Sequence, residues 1–359
     1  MAADVMVFGT GNFAGRLVCD IAAGATGPVQ VAVAGRNAPR LAWLRTAANA
    51  RAAIFGRDAQ LVADSVDITQ PDALAGCIAR HRPKVIVQAA SAQAGSVISA
   101  QDNRWSRLVA EGGLSVTAVF QAQFSLRVLE AMDAAGDAAL FVNACFPDVV
   151  NALLTARGHR VACGIGNIGI LSNAFMAEAG LRQPGALRMI GHYQTITPFR
   201  RPPAVRGGPM PRVWIGGEEI EDVAFRFAGV QLTPEPALEI SGACGVPLLL
   251  AMAFGQEWRG HVPGPNGRIG GYPVLLRDGV VSLDLPPGLS AEEAVRWNRA
   301  FEERNGLVVD PDGHARYSGT LHERLRSISP DLAEGFHVRD LEALHSSMDA
   351  LRSRLQAGA

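Results

Sequence analysis

The run VMVFGTGNFAGRL, residues 5–17, restricts the possible folds more than any other stretch of this chain. Val5–Phe8 is apolar throughout and has the length of a strand buried on both faces. Glycines end it. From Asn12 onward Phe13, Leu17, Val18 and Ile21 recur at helical spacing. Gly9, Gly11 and Ala14 stand at the G-x-G-x-x-G/A positions, with Thr10, Asn12 and Phe13 completing the loop. The first glycine permits a tight turn. The second lets backbone amides approach a pyrophosphate with no Cβ in the way, and the small third residue lets the helix pack close to the strand. A phosphate there would meet the positive end of a helix.

The next strand, Val29–Ala34, sharpens this reading. An NAD site places an Asp or Glu at that strand end to accept from the ribose 2′-hydroxyl. Here the end carries Gly35, Arg36 and Asn37, with Arg40 one helical turn beyond Arg36. A guanidinium suits a 2′-phosphate through planar, charge-assisted hydrogen bonds, and a carboxylate would repel it. The pattern therefore points to NADP(H).

Strand and helix signals alternate through the first part of the chain. Helices are expected at 39–51 and 71–82 and strands at 60–66 and 84–90, the latter ending in the small residues Ala89, Ala90 and Ser91. Further strands are expected at 114–120 and 138–144, with a helix at 125–135 between them. Such alternation predicts an α/β fold with an N-terminal doubly wound parallel sheet. Near residue 145 the texture changes, which sets expected domains of 1–146 and 147–338, with a terminal helix over 339–356 folding back on the first. Residues 197–212, rich in Pro, Gly and Arg, read as a loop or lid. Val246–Phe254 reads as a buried helix, Asp278-Gly279 and Asp312-Gly313 as hairpin turns, and Ser290 with Glu293 as a capping box.

Composition removes several alternatives. A net charge of −1 gives no footprint for nucleic acid. The apolar runs are too short and interrupted to span a bilayer, and the start of the chain enters a strand without a basic leader. Five cysteines without paired spacing suit a reducing compartment, so a cytoplasmic location and no structural metal are expected. Lys84 is the sole lysine and opens a strand at the end opposite any ligand crevice. A Schiff base and a Tyr-x-x-x-Lys pair are thereby excluded.

GTGNFAG at 9–15, AGRN at 34–37, SVDIT at 65–69 and CFPDVVN at 145–151 together resemble the saccharopine dehydrogenase-like (saccharopine reductase) proteins. The resemblance covers roughly the first 170 residues, and Asp148 stands where a glycine is expected. It implies a Rossmann NADP-binding domain followed by an α+β substrate domain. It also implies hydride transfer between NADPH and a C=N or C=O carbon of an amino-acid-derived substrate. Gly9, Gly11 and Ala14 would then hold pyrophosphate, and Arg36 with Arg40 the 2′-phosphate. Asp67 would lie near the adenine, and Ala90 and Ser91 near the nicotinamide ribose. A homodimer acting on a small amino- or keto-acid-type molecule is the expected form. A non-catalytic NADP(H)-binding redox-sensing regulator is the competing reading.

Reduction needs a proton as well as a hydride. With lysine excluded, the candidates are His192 and Tyr193, expected on a strand with side chains on opposite faces, and Tyr272, which follows two glycines. His261 lies in a Gly/Pro loop. Asp148, directly after the last expected strand of the sheet, is either an acid at the cleft or a helix cap. Arg200, Arg201, Arg206 and Arg212 are candidate carboxylate clamps, and the cysteines are expected to be buried thiols.

Overall fold

The structure is a computed structural model that describes residues 2–93, 103–233 and 237–358. Six parallel strands form its central sheet: β1 (Val5–Phe8), β2 (Val29–Gly35), β3 (Ala59–Ser65), β4 (Val85–Gln88), β5 (Leu140–Asn143) and β6 (Cys163–Gly164). Their order, β3-β2-β1-β4-β5-β6, is that of a doubly wound dinucleotide-binding sheet. In register, Val7 sits between Val33 and Val87.

Because side chains alternate across a strand, β1 feeds two cores. Met6 and Phe8 pack with Ile86, Leu74, Ile78 and Phe120 on one face, whereas Val5 and Val7 pack with Val33, Leu17, Ile21 and Leu44 on the other. The second core holds helices α1 (Asn12–Gly24) and α2 (Ala38–Ile54), and the first holds α3 (Pro71–His81) and the long helix Ala118–Ala135. Asn37 caps α2 by accepting from the Arg40 amide at 3.0 Å.

Later chain completes both faces. The helix Val246–Phe254 packs on α1, and the terminal helix Leu341–Ala357 packs on Ala118–Ala135. The parallel sheet itself continues past residue 146, since β6 lies at Cys163–Gly164. Among the described residues the later chain also forms three antiparallel sheets: Leu187–Ile190 with Arg212–Ile215 and Glu218–Glu219; Trp258–Pro263 with Gly271–Arg277 and Val280–Leu283; and Gly306–Val309 with His314–Ser318 and Phe336–His337. Asp278 and Gly279, at φ 51° and 74°, make the expected hairpin turn. Ser290 caps the helix Ala291–Arg304 by accepting from the Glu293 amide.

One expected strand is absent. Residues 114–120 form a 3-10 turn, Leu114–Thr117, that runs into the helix Ala118–Ala135. The β-branched Val116, Thr117 and Val119 favour a strand locally, but the place beside β4 is taken by β5. Buried residues of the helix, Ala118, Ala122, Ser125 and Leu129 among them, follow the helical period and bury against the sheet instead.

Candidate functional site

A cleft of about 1170 Å³ runs along the carboxyl ends of the sheet. Every strand contributes the residues at or just after its end: Gly9 after β1, Gly35 and Arg36 at β2, Val66 and Asp67 after β3, Ala89–Ser91 after β4, Ala144–Pro147 after β5 and Ile165–Asn167 after β6. This is the edge where open α/β sheets bind ligands.

The glycine loop has the geometry its residues imply. Gly9 has φ 128°, and a Cβ there would lie 3.0 Å from the Ala89 carbonyl carbon. Gly11 is the N-cap of α1, has no side-chain cap bond, and would meet nothing within 4 Å if given a Cβ. No acid stands in the first turn of α1, so its amides face the cleft with their dipole uncompensated by a side chain. Ala14 is fully buried and seats the helix on the sheet. Thr10, Asn12 and Phe13 line the cleft.

The two arginines of the β2 end differ. Arg36 and Asn37 line the cleft, and the Arg36 side chain is 68% exposed, with Nη1 3.8 Å from Asp67 Oδ2. Asp67 accepts from the Thr69 amide and hydroxyl, and these bonds hold its carboxyl below the usual range. Arg40 is not among the lining residues. Its Nε donates to the Thr10 carbonyl at 3.2 Å and its guanidinium covers Gly15, so it braces the glycine loop from behind.

Across the cleft, the turn after β4 is held by side chains. Gln88 Nε2 donates to the Ala90 carbonyl at 2.8 Å, and Ser91 Oγ lies 2.6 Å from Gln121 Oε1. Cys145 Sγ donates to the same Ala90 carbonyl at 3.1 Å, and burial pushes its thiol up to about 12, so it is inert as a nucleophile. Arg352 of the terminal helix reaches the Ala92 carbonyl and Gln93 Oε1. Phe146 adopts φ 49°, an uncommon conformation for a bulky residue, and turns the chain from β5 into the helix Pro147–Ala156.

The proton-donor candidates separate. Tyr272 is corrected: it is fully buried in the core, and its hydroxyl donates to the Ile269 carbonyl at 2.7 Å, so it has no access to the cleft. His192 and Tyr193 are not on a strand with opposite orientations. The strand ends at Ile190, His192 caps a 3-10 turn, and the two rings stand 4.4 Å apart. His192 is enclosed and stacks on Phe301. Its Nε2 lies 2.9 Å from Glu302 Oε1, close enough for electrostatic attraction, yet among the described residues neither atom has a partner in hydrogen-bonding geometry. Tyr193 lines a second cavity of about 370 Å³, which shares Leu114, Asn167 and Arg200 with the cleft.

Asp148 is neither a cap nor a lining residue. It is fully buried in the first turn of its helix, where Phe146 is the N-cap. Asn167 donates to its Oδ2, and Oδ1 has no hydrogen-bond partner among the described residues. Burial pushes this carboxyl up, against the opposing pull of His192. His261 is a structural acceptor: its Nε2 takes the Met189 amide at 3.0 Å, and burial lowers the ring to about 3. Arg206 and Arg212 are held by backbone carbonyls and by Glu219 with Glu293 respectively, so neither clamps a ligand. Arg201 donates to the Gly207 carbonyl. Arg200 lines both cavities, with Nη1 on the Thr233 carbonyl.

Glu302, Ser115 and Asn167 escaped the sequence reading. Ser115 lies in the segment expected to be a strand. Glu302 sits with Ala294, Asn298 and Phe301 on the buried face of its helix. An acid at core positions of an amphipathic helix is the signal that would have found it.

No family model and no curated protein matches the sequence. Solved structures do. A malate dehydrogenase from Salinibacter ruber superposes with a TM-score of 0.53 at 14% identity, over 83% of this chain and 94% of that one. The lactate dehydrogenase of Cryptosporidium parvum, solved with lactic acid and nicotinamide adenine dinucleotide, gives 0.50 at 15% identity over 82% and 93%. The Archaeoglobus fulgidus malate dehydrogenase, in complex with NADH, gives 0.52 at 14% identity over 83% and 96%. At this identity the likeness concerns the fold, a Rossmann-type α/β sheet with additional antiparallel sheets. Among the described residues no helix is long and apolar enough to cross a membrane.

Proposed function

We propose that the protein is an NADP(H)-dependent oxidoreductase that reduces the carbonyl or imine carbon of a small keto- or amino-acid-type substrate. The observation that carries this reading is the cleft itself. The open space at Gly11 and the uncapped start of α1 fit a pyrophosphate, and among the described residues no side chain fills that cradle. Arg36 and Asn37 at the β2 end fit a 2′-phosphate, with Asp67 engaged by Thr69 and adjacent to Arg36. Ala89, Ala90 and Ser91 leave room opposite for the nicotinamide ribose. When bound, the cofactor supplies the hydride. The chain's own residues orient the substrate and manage the proton. The similar dehydrogenases of hydroxy acids support the general chemistry, and the resemblance to saccharopine reductases supports an amino-acid-derived substrate. We place the protein in the cytoplasm as a homodimer, with residues 1–146 as the core of cofactor binding.

Fluorescence titration with NADPH and NADH tests the cofactor. NADPH binds more tightly, and Arg36→Ala weakens it by about 1.5–3 kcal/mol, the worth of hydrogen bonds to a charged group, with NADH nearly unchanged. Equal affinities would remove the assignment. A regulator role draws support from the enclosure of His192 and Tyr272. NADPH binding without oxidation by any of a panel of 2-oxo acids, with and without ammonium, would favour it.

A further inference from the structure

Among the described residues, Asp64, Cys77 and His81 are the one set of three His, Cys, Asp or Glu side chains whose ligand-type atoms all lie within 4.8 Å of one another. None of the three lines the cleft. Cys77 and His81 stand one turn apart on α3, so their side chains project from the same helix face. Asp64 arrives from β3, the edge strand of the parallel sheet. Cysteine spacing along the chain does not announce such a site, because it holds a single thiol and takes its carboxylate from another element. Three donors converge on one oxygen: Asp64 Oδ2 accepts from Arg80 Nη2 at 2.8 Å, His81 Nε2 at 2.9 Å and Cys77 Sγ at 3.4 Å. Burial works against the ionisation of Asp64, but these bonds outweigh it and hold the carboxyl below its usual range. Ligands about 2.0–2.3 Å from a tetrahedral Zn²⁺ stand about 3.4–3.6 Å from one another. The spacings here lie close to that value, so small side-chain rotations bring all three atoms to one ion. A thiolate with an imidazole and a carboxylate suits zinc, whereas magnesium and calcium take oxygen ligands. His81 Nδ1 is buried with no hydrogen-bond partner among the described residues, so the ring can carry its proton there while Nε2 binds an ion. Arg80 competes for Asp64, but its side chain is 59% exposed and can turn into water.

We propose that Asp64, Cys77 and His81 bind a Zn²⁺ ion that fastens β3 to α3, with water as the fourth ligand. The site stands apart from the cleft and needs no cofactor. On binding, Cys77 Sγ gives its proton to solvent, and a sulfur lone pair forms the S–Zn bond. The proton on His81 Nε2 moves through solvent to Nδ1, and the Nε2 lone pair forms the second bond. Asp64 Oδ2 forms the third and lets Arg80 go. One proton is thus released for each ion bound. Burial and the charge of Asp64 push the Cys77 thiol up to about 12 in the ion-free protein, so the thiol enters protonated at neutral pH. The apparent affinity therefore rises about tenfold for each unit of pH. Because the folded chain alone assembles the three ligands, the ion also raises the melting temperature.

The test titrates the full chain, freed of metal by a chelator, with Co²⁺ and then with Zn²⁺. Cobalt saturates at one equivalent, with the intense visible bands of a four-coordinate ion and a thiolate-to-cobalt charge-transfer band in the near ultraviolet. Zn²⁺ removes both signals, and its apparent affinity rises about tenfold between about pH 7 and about pH 8. Cys77→Ser loses the charge-transfer band, whereas Cys19→Ser keeps it. His81→Gln and Asp64→Asn each weaken Co²⁺ binding by at least about tenfold, the lower end for disturbing even the outer partners of a ligand. Arg80→Ala tightens it, since a competing cation is gone. Circular dichroism without metal shows which variants fold, and where Cys77→Ser does not, His81→Gln and Asp64→Asn decide. The absence of a saturable charge-transfer band in the unaltered chain overturns the site. A band that survives in folded Cys77→Ser, or an affinity indifferent to both His81→Gln and Asp64→Asn, overturns it as well.

Discussion

The same substitution at two neighbouring glycines separates folding from ligand binding. At Gly9, φ is 128°, and an added Cβ would lie 3.0 Å from both the Ala89 carbonyl carbon and the Ala90 amide nitrogen. Those are backbone atoms of the adjoining strand end and cannot rotate aside. Gly9→Ala therefore carries a conformational penalty of about 1–3 kcal/mol, with the overlap added to it. At Gly11 the backbone is at φ −70° and ψ −179°, which any residue adopts, and a Cβ would meet nothing within 4 Å. Gly11→Ala restricts the unfolded chain, a gain of about 0.4–1 kcal/mol that offsets the poorer fit of Ala at the N-cap of α1. The methyl group, however, enters the space through which a pyrophosphate must approach the start of α1. NADPH affinity should fall at least about tenfold, which corresponds to about 1.4 kcal/mol. Thermal unfolding without cofactor, together with fluorescence titration, reads both quantities. Gly9→Ala lowers the melting temperature, whereas Gly11→Ala leaves it level or raises it and loses affinity. A Gly11→Ala protein that binds NADPH like the unaltered chain would refute the pyrophosphate cradle.

Tyr272→Phe removes a buried hydrogen bond to Ile269 and should cost about 0.5–1.5 kcal/mol of stability. NADPH affinity and turnover stay unchanged, and a loss of turnover with affinity intact would return Tyr272 to the site. His261 gives the stability a pH dependence: its ring is lowered to about 3 in the fold and ordinary when unfolded. The unfolded chain then binds the extra proton, so this contribution is complete above about pH 6.5 and declines as pH falls toward 3, by up to about 1.4 kcal/mol per unit. Urea unfolding across that window shows a shallower decline in His261→Gln, and equal slopes would contradict the assignment. Cys145 resists a thiol reagent in the folded state and reacts on unfolding, and rapid labelling of Cys145 in the native protein would disprove its commitment to Ala90.

Much of the fold was legible locally. The glycine loop, the buried strands Val5–Phe8 and Val29–Gly35, the helix Val246–Phe254 and the two hairpin turns depend on neighbouring residues: apolar periodicity, glycine at positive φ, and caps within one helical turn. Short-range chemistry of this kind is written in the order of residues. The absence of an acid after β2 and the isolation of Lys84 are likewise facts of sequence, and the structure keeps that lysine against Asp4, at the amino end of the sheet. What the fold alone decided concerns residues far apart in the chain. The local β preference of 114–120 yielded to a helix because β5 had the place beside β4. Arg40 turned from a phosphate ligand into a brace for Thr10 because α2 passes behind the loop. Tyr272 follows two glycines in the chain, but its hydroxyl closes on Ile269 and leaves it no path to the cleft. Ser115, Tyr193 and Glu302 meet across separations of 78 and 187 residues, and no local periodicity encodes such a meeting. Only tertiary packing, with the strand Gly306–Val309 beyond the helix Ala291–Arg304 seated against the turn Leu114–Thr117, brings the Glu302 carboxylate to the Ser115 hydroxyl.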